Sequence, residues 1–113
     1  MSHAGRCFCG KVTFEAAGKP EALKITSGEN SIGTYNKTPI SYRKWCKDCG
    51  GHLFTQHPTM GLVDIYAALL PTLKFEPGVH VNYGETVLHI HDGKPKFKDM
   101  PAEMGGSGTL LPE

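Results

Sequence analysis

The sequence predicts one small, mostly β domain built from antiparallel sheets. Short segments with alternating polar and apolar residues are separated by turns that contain glycine or proline, which is the pattern of half-buried strands. No helix-period pattern follows Gly51, near the middle of the chain. A length of 113 residues is enough for one core and too short for two, so residues 1–113 are predicted to form a single domain.

The first strands are predicted in chain order, the first two of them from this alternation. They cover residues 11–15, 22–26, 32–36, 40–45 and 52–57. Turn-forming residues at 18–20 and 27–30 separate the first three of them. These strands are expected to be neighbours in a meander.

The most apolar run of the chain covers residues 60–70. Its valine, isoleucine and tyrosine residues favour a central strand, with a helix as the alternative. Both faces of such a strand would be largely apolar, and each would need cover. We therefore expect a homodimer that buries one face, unless the tail beyond Gly93 folds over it.

The last third of the chain gives weaker signals. Residues 79–83 and 86–91 are predicted to form a last hairpin, or a short strand and its cover. Lysine, proline and glycine are frequent after Gly93, and the composition predicts a flexible tail over about residues 94–113.

All cysteines of the chain lie in two close pairs, and a glycine follows each pair. A Cys-x-x-Cys turn followed by glycine can direct two thiolates at one ion while backbone N–H groups turn toward the sulfurs. A bent strand end at the Cys-x-Cys pair can offer the other two thiolates. The sequence therefore predicts one structural Zn²⁺ per chain, held by Cys7, Cys9, Cys46 and Cys49, with Trp45 shielding it from water.

Two other uses of the thiols stay open. Two disulfides would suit a secreted protein, but no apolar signal segment precedes Cys7. Cys46 and Cys49 could be a redox pair, but such pairs normally lie between a strand and a helix. The absence of a helical pattern after Gly51 favours the metal site.

Charge and hydropathy argue against two classes of partner. The formal net charge is +1, from 12 basic and 11 acidic residues, so no sequence-wide field would attract nucleic acid. No apolar run reaches the roughly 18 residues that span a bilayer. The predicted protein binds neither nucleic acid nor membrane, and a cytoplasmic location is expected.

Histidines provide a second metal candidate. His89 and His91 lie two positions apart and would share a strand face, with His80 as a third ligand. Exposed histidines on a strand are the simpler explanation. His52 and His57 follow the second cysteine pair and are candidates for supporting the metal or replacing a ligand.

Two segments carry a resemblance to a known family. Residues 5–15 contain Cys7-Phe8-Cys9-Gly10-Lys11-Val12, and residues 42–54 contain Cys46-Lys47-Asp48-Cys49-Gly50-Gly51. They resemble the opening Cys-x-Cys-Gly-x-Val strand and the Cys-x-x-Cys-Gly segment of the glutathione-dependent formaldehyde-activating enzyme family, whose domain also occurs in a centromere protein. The resemblance implies a tent-like all-β fold, a structural zinc on these four cysteines, a carbon–sulfur lyase activity and a small thiol such as glutathione as partner.

The sequence departs from that family at its catalytic segment. The family carries a Cys-His-Cys-x-x-Cys segment between the two motifs, whereas residues 11–45 contain neither cysteine nor histidine. A catalytic zinc needs an open position, and the closed site already uses all four cysteines. We therefore predict no catalytic residue and no cofactor-binding residue beyond the metal ligands. The alternative to an enzyme is a zinc-ribbon-like module that binds a thiol metabolite, a peptide or a protein without turnover.

Overall fold

Seven strands form two antiparallel sheets in the computed structural model, which describes residues 2–113 and only the backbone at position 20. The first sheet has the order β1 (His3–Arg6), β2 (Thr13–Ala17), β3 (Lys19–Ser27). The second has the order β4 (Ile32–Thr38), β5 (Ser41–Cys46), β6 (His52–His57), β7 (Leu62–Ile65). Each sheet is a meander, and the mostly β prediction is confirmed.

Turn residues fix where the two sheets separate. Gly28 has φ 76° and precedes a 3-10 helix, Glu29–Ser31, between β3 and β4. A Cβ at Gly28 would lie 2.1 Å from the Lys11 carbonyl oxygen, so only glycine allows this close approach. The chain thus ends the first sheet beside the start of β2 and continues into the second.

The core joins the two sheets. The Phe14 ring on β2 packs edge-on against the Phe54 ring on β6, with centroids 5.8 Å apart and an interplanar angle of 73°. Around this pair lie further buried side chains: Cys7, Val12, Cys46, Leu53 and Leu70. Two of the four cysteines are therefore part of the hydrophobic core.

The Trp45 ring lies against β4, and its role as a shield for the metal stays a prediction. Trp45 is paired with Gly33 on β4, and a Cβ at Gly33 would lie 2.5 Å from the indole ring. The ring therefore packs closely against Gly33. The known contacts of the indole are with β4, and they do not support a role in covering the cysteines.

The prediction of a central strand over residues 60–70 is wrong. Only β7 is extended there, at the edge of the second sheet, and a 3-10 helix follows at Ala67–Leu69. Val63 and Ile65 pack on the core, whereas Leu62 is 40% exposed, so the strand has one apolar face. The predicted homodimer is therefore no longer supported by two apolar strand faces, and it stays a prediction.

Two compact units are distinguished within this small domain, one ending at Lys74 and the other covering Phe75–Glu113. The second unit has isolated bridges between His80 and Lys96 and between Phe97 and Leu110. The predicted hairpin of residues 79–83 and 86–91 is wrong. The segment at 80–84 instead hydrogen-bonds with residues 95–99, which are distant in sequence.

The tail predicted over residues 94–113 takes part in these contacts. Lys96 is buried, and Lys98 and Leu111 donate backbone hydrogen bonds within the segment. Composition alone gave no sign of them, and the flexibility of the segment stays a prediction. The helices in the described part of the chain are 3-10 turns of three residues each, and none is long or apolar enough to cross a membrane.

Candidate metal centre

Two loops of similar construction carry the four cysteines. Cys7 follows β1, and its N–H donates to the Val12 carbonyl over 3.0 Å. Cys46 ends β5, and its N–H donates to the Gly51 carbonyl over 2.9 Å, at the same offset along the chain. Each bond closes a loop whose first cysteine points inward. A Cys-x-Cys pair and a Cys-x-x-Cys pair thereby reach equivalent positions.

A glycine with positive φ completes each loop. Gly10 has φ 78° and donates its N–H to the Cys7 carbonyl over 3.1 Å. Gly50 has φ 75° and donates its N–H to the Cys46 carbonyl over 2.8 Å. The left-handed conformation turns the chain back toward the sulfurs at little cost only because these residues lack a Cβ.

The four Sγ atoms form one cluster. They all lie within 4.8 Å of one another, with 3.6 Å from Cys7 to Cys9 and 3.8 Å from Cys9 to Cys46. A tetrahedral zinc with Zn–S bonds of about 2.3 Å requires sulfurs about 3.8 Å apart. All four thiols are free, and both of these separations far exceed the roughly 2.05 Å of a disulfide bond. The geometry therefore fits a metal and not disulfides.

Backbone N–H groups face the sulfurs. Val12 N–H donates to Cys7 Sγ over 3.3 Å, Lys11 N–H donates to Cys9, and Gly51 N–H donates to Cys49. Such bonds stabilise thiolates and are what the glycine after each pair predicted. The donors at positions 11 and 12 are the contribution that the sequence did not identify.

These surroundings shift the thiol pKa values in opposite directions. Hydrogen bonds from the Gly51 N–H, and then from the Cys9 N–H, lower the pKa of Cys49 to about 6. Burial opposes ionisation of Cys7, but the Val12 N–H and neighbouring thiols leave its pKa lowered. The Lys11 N–H favours the Cys9 thiolate, yet burial and the other thiols raise its pKa to about 12. Without a cation the cluster retains protons, and a divalent ion would replace them.

Burial divides the cluster into an inner and an outer half. Cys7 and Cys46 are 1% and 0% exposed, whereas Cys9 is exposed and Cys49 is half-buried. An ion held by all four would have two ligands fixed by the core and two at the surface. Four thiolates in a tetrahedron leave no position for water or substrate, so this donor set suits a structural ion.

The histidines do not form a second centre. Within residues 2–113, the four cysteines are the one group of three or more histidine, cysteine or acidic side chains placed to hold a metal. His80 Nε2 lies 2.7 Å from Asp92 Oδ2, and His89 Nδ1 lies 3.5 Å from the Tyr83 hydroxyl. The proposed pairing of His89 with His91 on a strand face fails because no strand forms there.

His52 and His57 have partners of their own. His52 Nε2 lies 3.2 Å from the Thr55 hydroxyl, and its ring packs on Tyr66 with centroids 4.8 Å apart. Burial, followed by the positive charge of Arg43, lowers the pKa of His52. His57 Nε2 lies 2.8 Å from an Asp64 carboxylate oxygen. These contacts assign both rings to strand packing and surface pairing.

Comparisons with protein-family models, with curated proteins and with solved structures found no match to this chain. The fold and the cluster define its class. It is a mostly β protein whose four cysteines lie close enough together to hold a metal ion.

Proposed function

We propose that this chain is a zinc-stabilised β module. In the proposed centre, Cys7 and Cys9 from the β1–β2 loop and Cys46 and Cys49 from the β5–β6 loop hold one Zn²⁺. The proposal is supported by the sulfur separations: those of Cys7–Cys9 and Cys9–Cys46 are close to the edge of a zinc–thiolate tetrahedron, and all four sulfurs lie within 4.8 Å of one another. The ion would bind the end of the first sheet to the middle of the second.

Zinc is preferred over other ions because of the donor set. Four thiolates in a tetrahedron select Zn²⁺ or iron, while oxygen-preferring ions such as Mg²⁺ and Ca²⁺ are disfavoured. Metal analysis of protein purified without added metal separates zinc from iron directly. We expect one zinc per chain, and one iron or no metal would contradict the assignment.

We further propose that the module binds without catalysing a reaction. The resemblance to the glutathione-dependent formaldehyde-activating family supports a retained scaffold and suggests a small thiol, such as glutathione, as ligand. Turnover is disfavoured because every cysteine of the chain belongs to the one cluster. No thiol is left to build a second zinc with an open position, which thiolate activation requires. A cytoplasmic location fits thiols that stay reduced.

Exchange spectroscopy tests the absence of catalysis. Formaldehyde and glutathione are mixed with protein that carries one zinc per chain, and the rate of adduct formation is measured. We expect the uncatalysed rate. A faster rate that is lost in Cys9→Ser, while that variant keeps its melting temperature, would instead support the carbon–sulfur lyase implied by the resemblance.

A further inference from the structure

A turn in the second unit forms a cradle for a carboxylate. The turn begins at Asp92 and Gly93, and Gly93 has φ 74°. The backbone N–H groups of these two residues donate to the same oxygen, Glu113 Oε2, over 2.7 and 2.9 Å. Successive N–H groups that converge in this way form a concave site suited to anions.

Lys96 supplies the third donor of the cradle. Its side chain is 1% exposed, and its ammonium donates to Glu113 Oε2 over 2.9 Å. The same ammonium donates to Asp92 Oδ1 over 2.6 Å and to the Lys94 carbonyl over 2.8 Å. One oxygen of Glu113 therefore receives three donors, of which one is a buried cation.

Asp92 orients the parts of this cradle. Its Oδ1 accepts from the Lys94 N–H over 3.0 Å as well as from Lys96, and its Oδ2 lies 2.7 Å from His80 Nε2. Burial opposes the charge of Lys96, but hydrogen bonds to Asp92 and Glu113 leave its pKa raised. The ammonium therefore stays charged and can bind an anionic group.

The residues before Glu113 lie along the same part of the chain. Leu111 N–H donates to the Lys96 carbonyl over 2.7 Å, and Lys98 N–H donates to the Thr109 carbonyl over 2.8 Å. Phe97 and Leu110 form an antiparallel bridge between these two bonds. Residues 109–111 thus pair with residues 96–98 through one bridge and two flanking hydrogen bonds, and the Glu113 side chain that follows enters the cradle.

We propose that residues 92–98 are a binding site for an extended peptide segment that carries one carboxylate, and that residues 109–113 occupy it as a ligand within the same chain. Backbone pairing supplies affinity for an extended segment, and the cradle supplies selectivity for its charge. A tethered ligand acts at an effective concentration of about 1 mM, so an added peptide competes poorly until the tethered carboxylate is removed.

The test uses the full chain with the neutral substitution Glu113→Gln. The probe is the peptide Ser-Gly-Thr-Leu-Leu-Pro-Glu, amidated at its end and carrying a dye at its start, and binding is measured by fluorescence anisotropy. Because the tethered charge is gone, we expect Glu113→Gln to bind this peptide at least about tenfold more tightly than the wild-type chain. The matched control is Glu103→Gln, an exposed carboxylate of the same unit, which should bind like wild type.

Charge selectivity is measured with the peptide that ends in glutamine. We expect it to bind the Glu113→Gln chain at least about tenfold more weakly than the glutamate peptide. In ¹H–¹⁵N spectra, the Gly93 amide should shift in Glu113→Gln and shift back when the glutamate peptide is added, which also verifies that the variant is folded. Equal affinity of both chains for the glutamate peptide, or equal affinity of Glu113→Gln for both peptides, would overturn the proposal.

Discussion

Replacing Cys46 with alanine should remove most of the stability of the first unit. Cys46 is 0% exposed, ends β5, and its sulfur lies 3.8 Å from that of Cys9. The substitution takes away one of the two proposed ligands that lie in the core. The three remaining thiols would hold zinc weakly, so the metal should leave when a chelator is present.

The expected loss of stability can be estimated from the cross-link that the proposed metal would form. Cys9 and Cys46 are 37 positions apart, and closing a loop of that length in the unfolded chain corresponds to about 4 kcal/mol in the entropy model. Zinc binding in small domains yields about 10–16 kcal/mol, which is comparable to the whole stability of a domain, about 5–15 kcal/mol. At roughly 4 °C per kcal/mol for a chain of this size, a loss of 4 kcal/mol or more lowers Tm by at least about 15 °C.

Thermal denaturation followed by circular dichroism measures this effect, with zinc content determined on the same samples. The matched control is Phe8→Ala in the same loop, because Phe8 is 93% exposed and should leave Tm within about 2 °C of wild type. A Cys46→Ala protein that melts cooperatively within a few degrees of wild type would refute the reasoning. The same conclusion would follow from metal-free wild-type protein with an unchanged transition.

Three further predictions concern the core, the contact between Gly33 and Trp45, and the Glu113 carboxylate. Phe14→Ala should lower the free energy of unfolding by about 3–5 kcal/mol in urea titrations, because it empties the contact between the sheets. Gly33→Ala should displace the Trp45 ring, change its fluorescence and cost about 1–3 kcal/mol, whereas an unchanged emission spectrum would show that the ring is not on the glycine. The pKa of Glu113 is lowered, first by the Gly93 N–H and then by Lys96. The stability that this carboxylate contributes is therefore fully present above its pKa in the unfolded chain, and it is lost as pH falls through its pKa in the folded chain. The protection factor of the Gly93 amide, which compares its exchange rate with the intrinsic rate at the same pH, should therefore fall on acidification in wild type, and less so in Glu113→Gln.

Local patterns predicted several of the strands well. Residues 22–26 alternate between polar and apolar and lie within β3, and the strands predicted at 32–36 and 52–57 lie within β4 and β6. The cluster of cysteines was also predictable, because four thiols in two tight pairs have few other uses in a small chain. Their glycines indicated the loops as well, although the N–H donors at 11 and 12 follow from loop closure and not from residue type.

The predictions for residues 60–70 and for the second unit failed for physical reasons that local patterns do not reveal. The run at 60–70 is mostly apolar, and such a run does not show where a strand ends and a 3-10 turn begins. In the second unit, His80 pairs with Lys96 through backbone groups, which leave no periodicity in the sequence. Burial of Lys96 was equally invisible, since it depends on Asp92 and Glu113 being brought together by the fold.

The order of the strands explains why a metal is useful at this position. Each sheet is assembled from neighbours in sequence, so its hairpins require only short loops to close. Contact between the sheets requires bringing together residues far apart in the chain, such as Phe14 and Phe54, at a larger entropic cost. The sulfurs of Cys7 and Cys46 lie in the core next to that pair and come from the two sheets separately. A shared ion at the four sulfurs would therefore stabilise mainly the packing of one sheet on the other, and its removal should weaken that contact before the hairpins themselves.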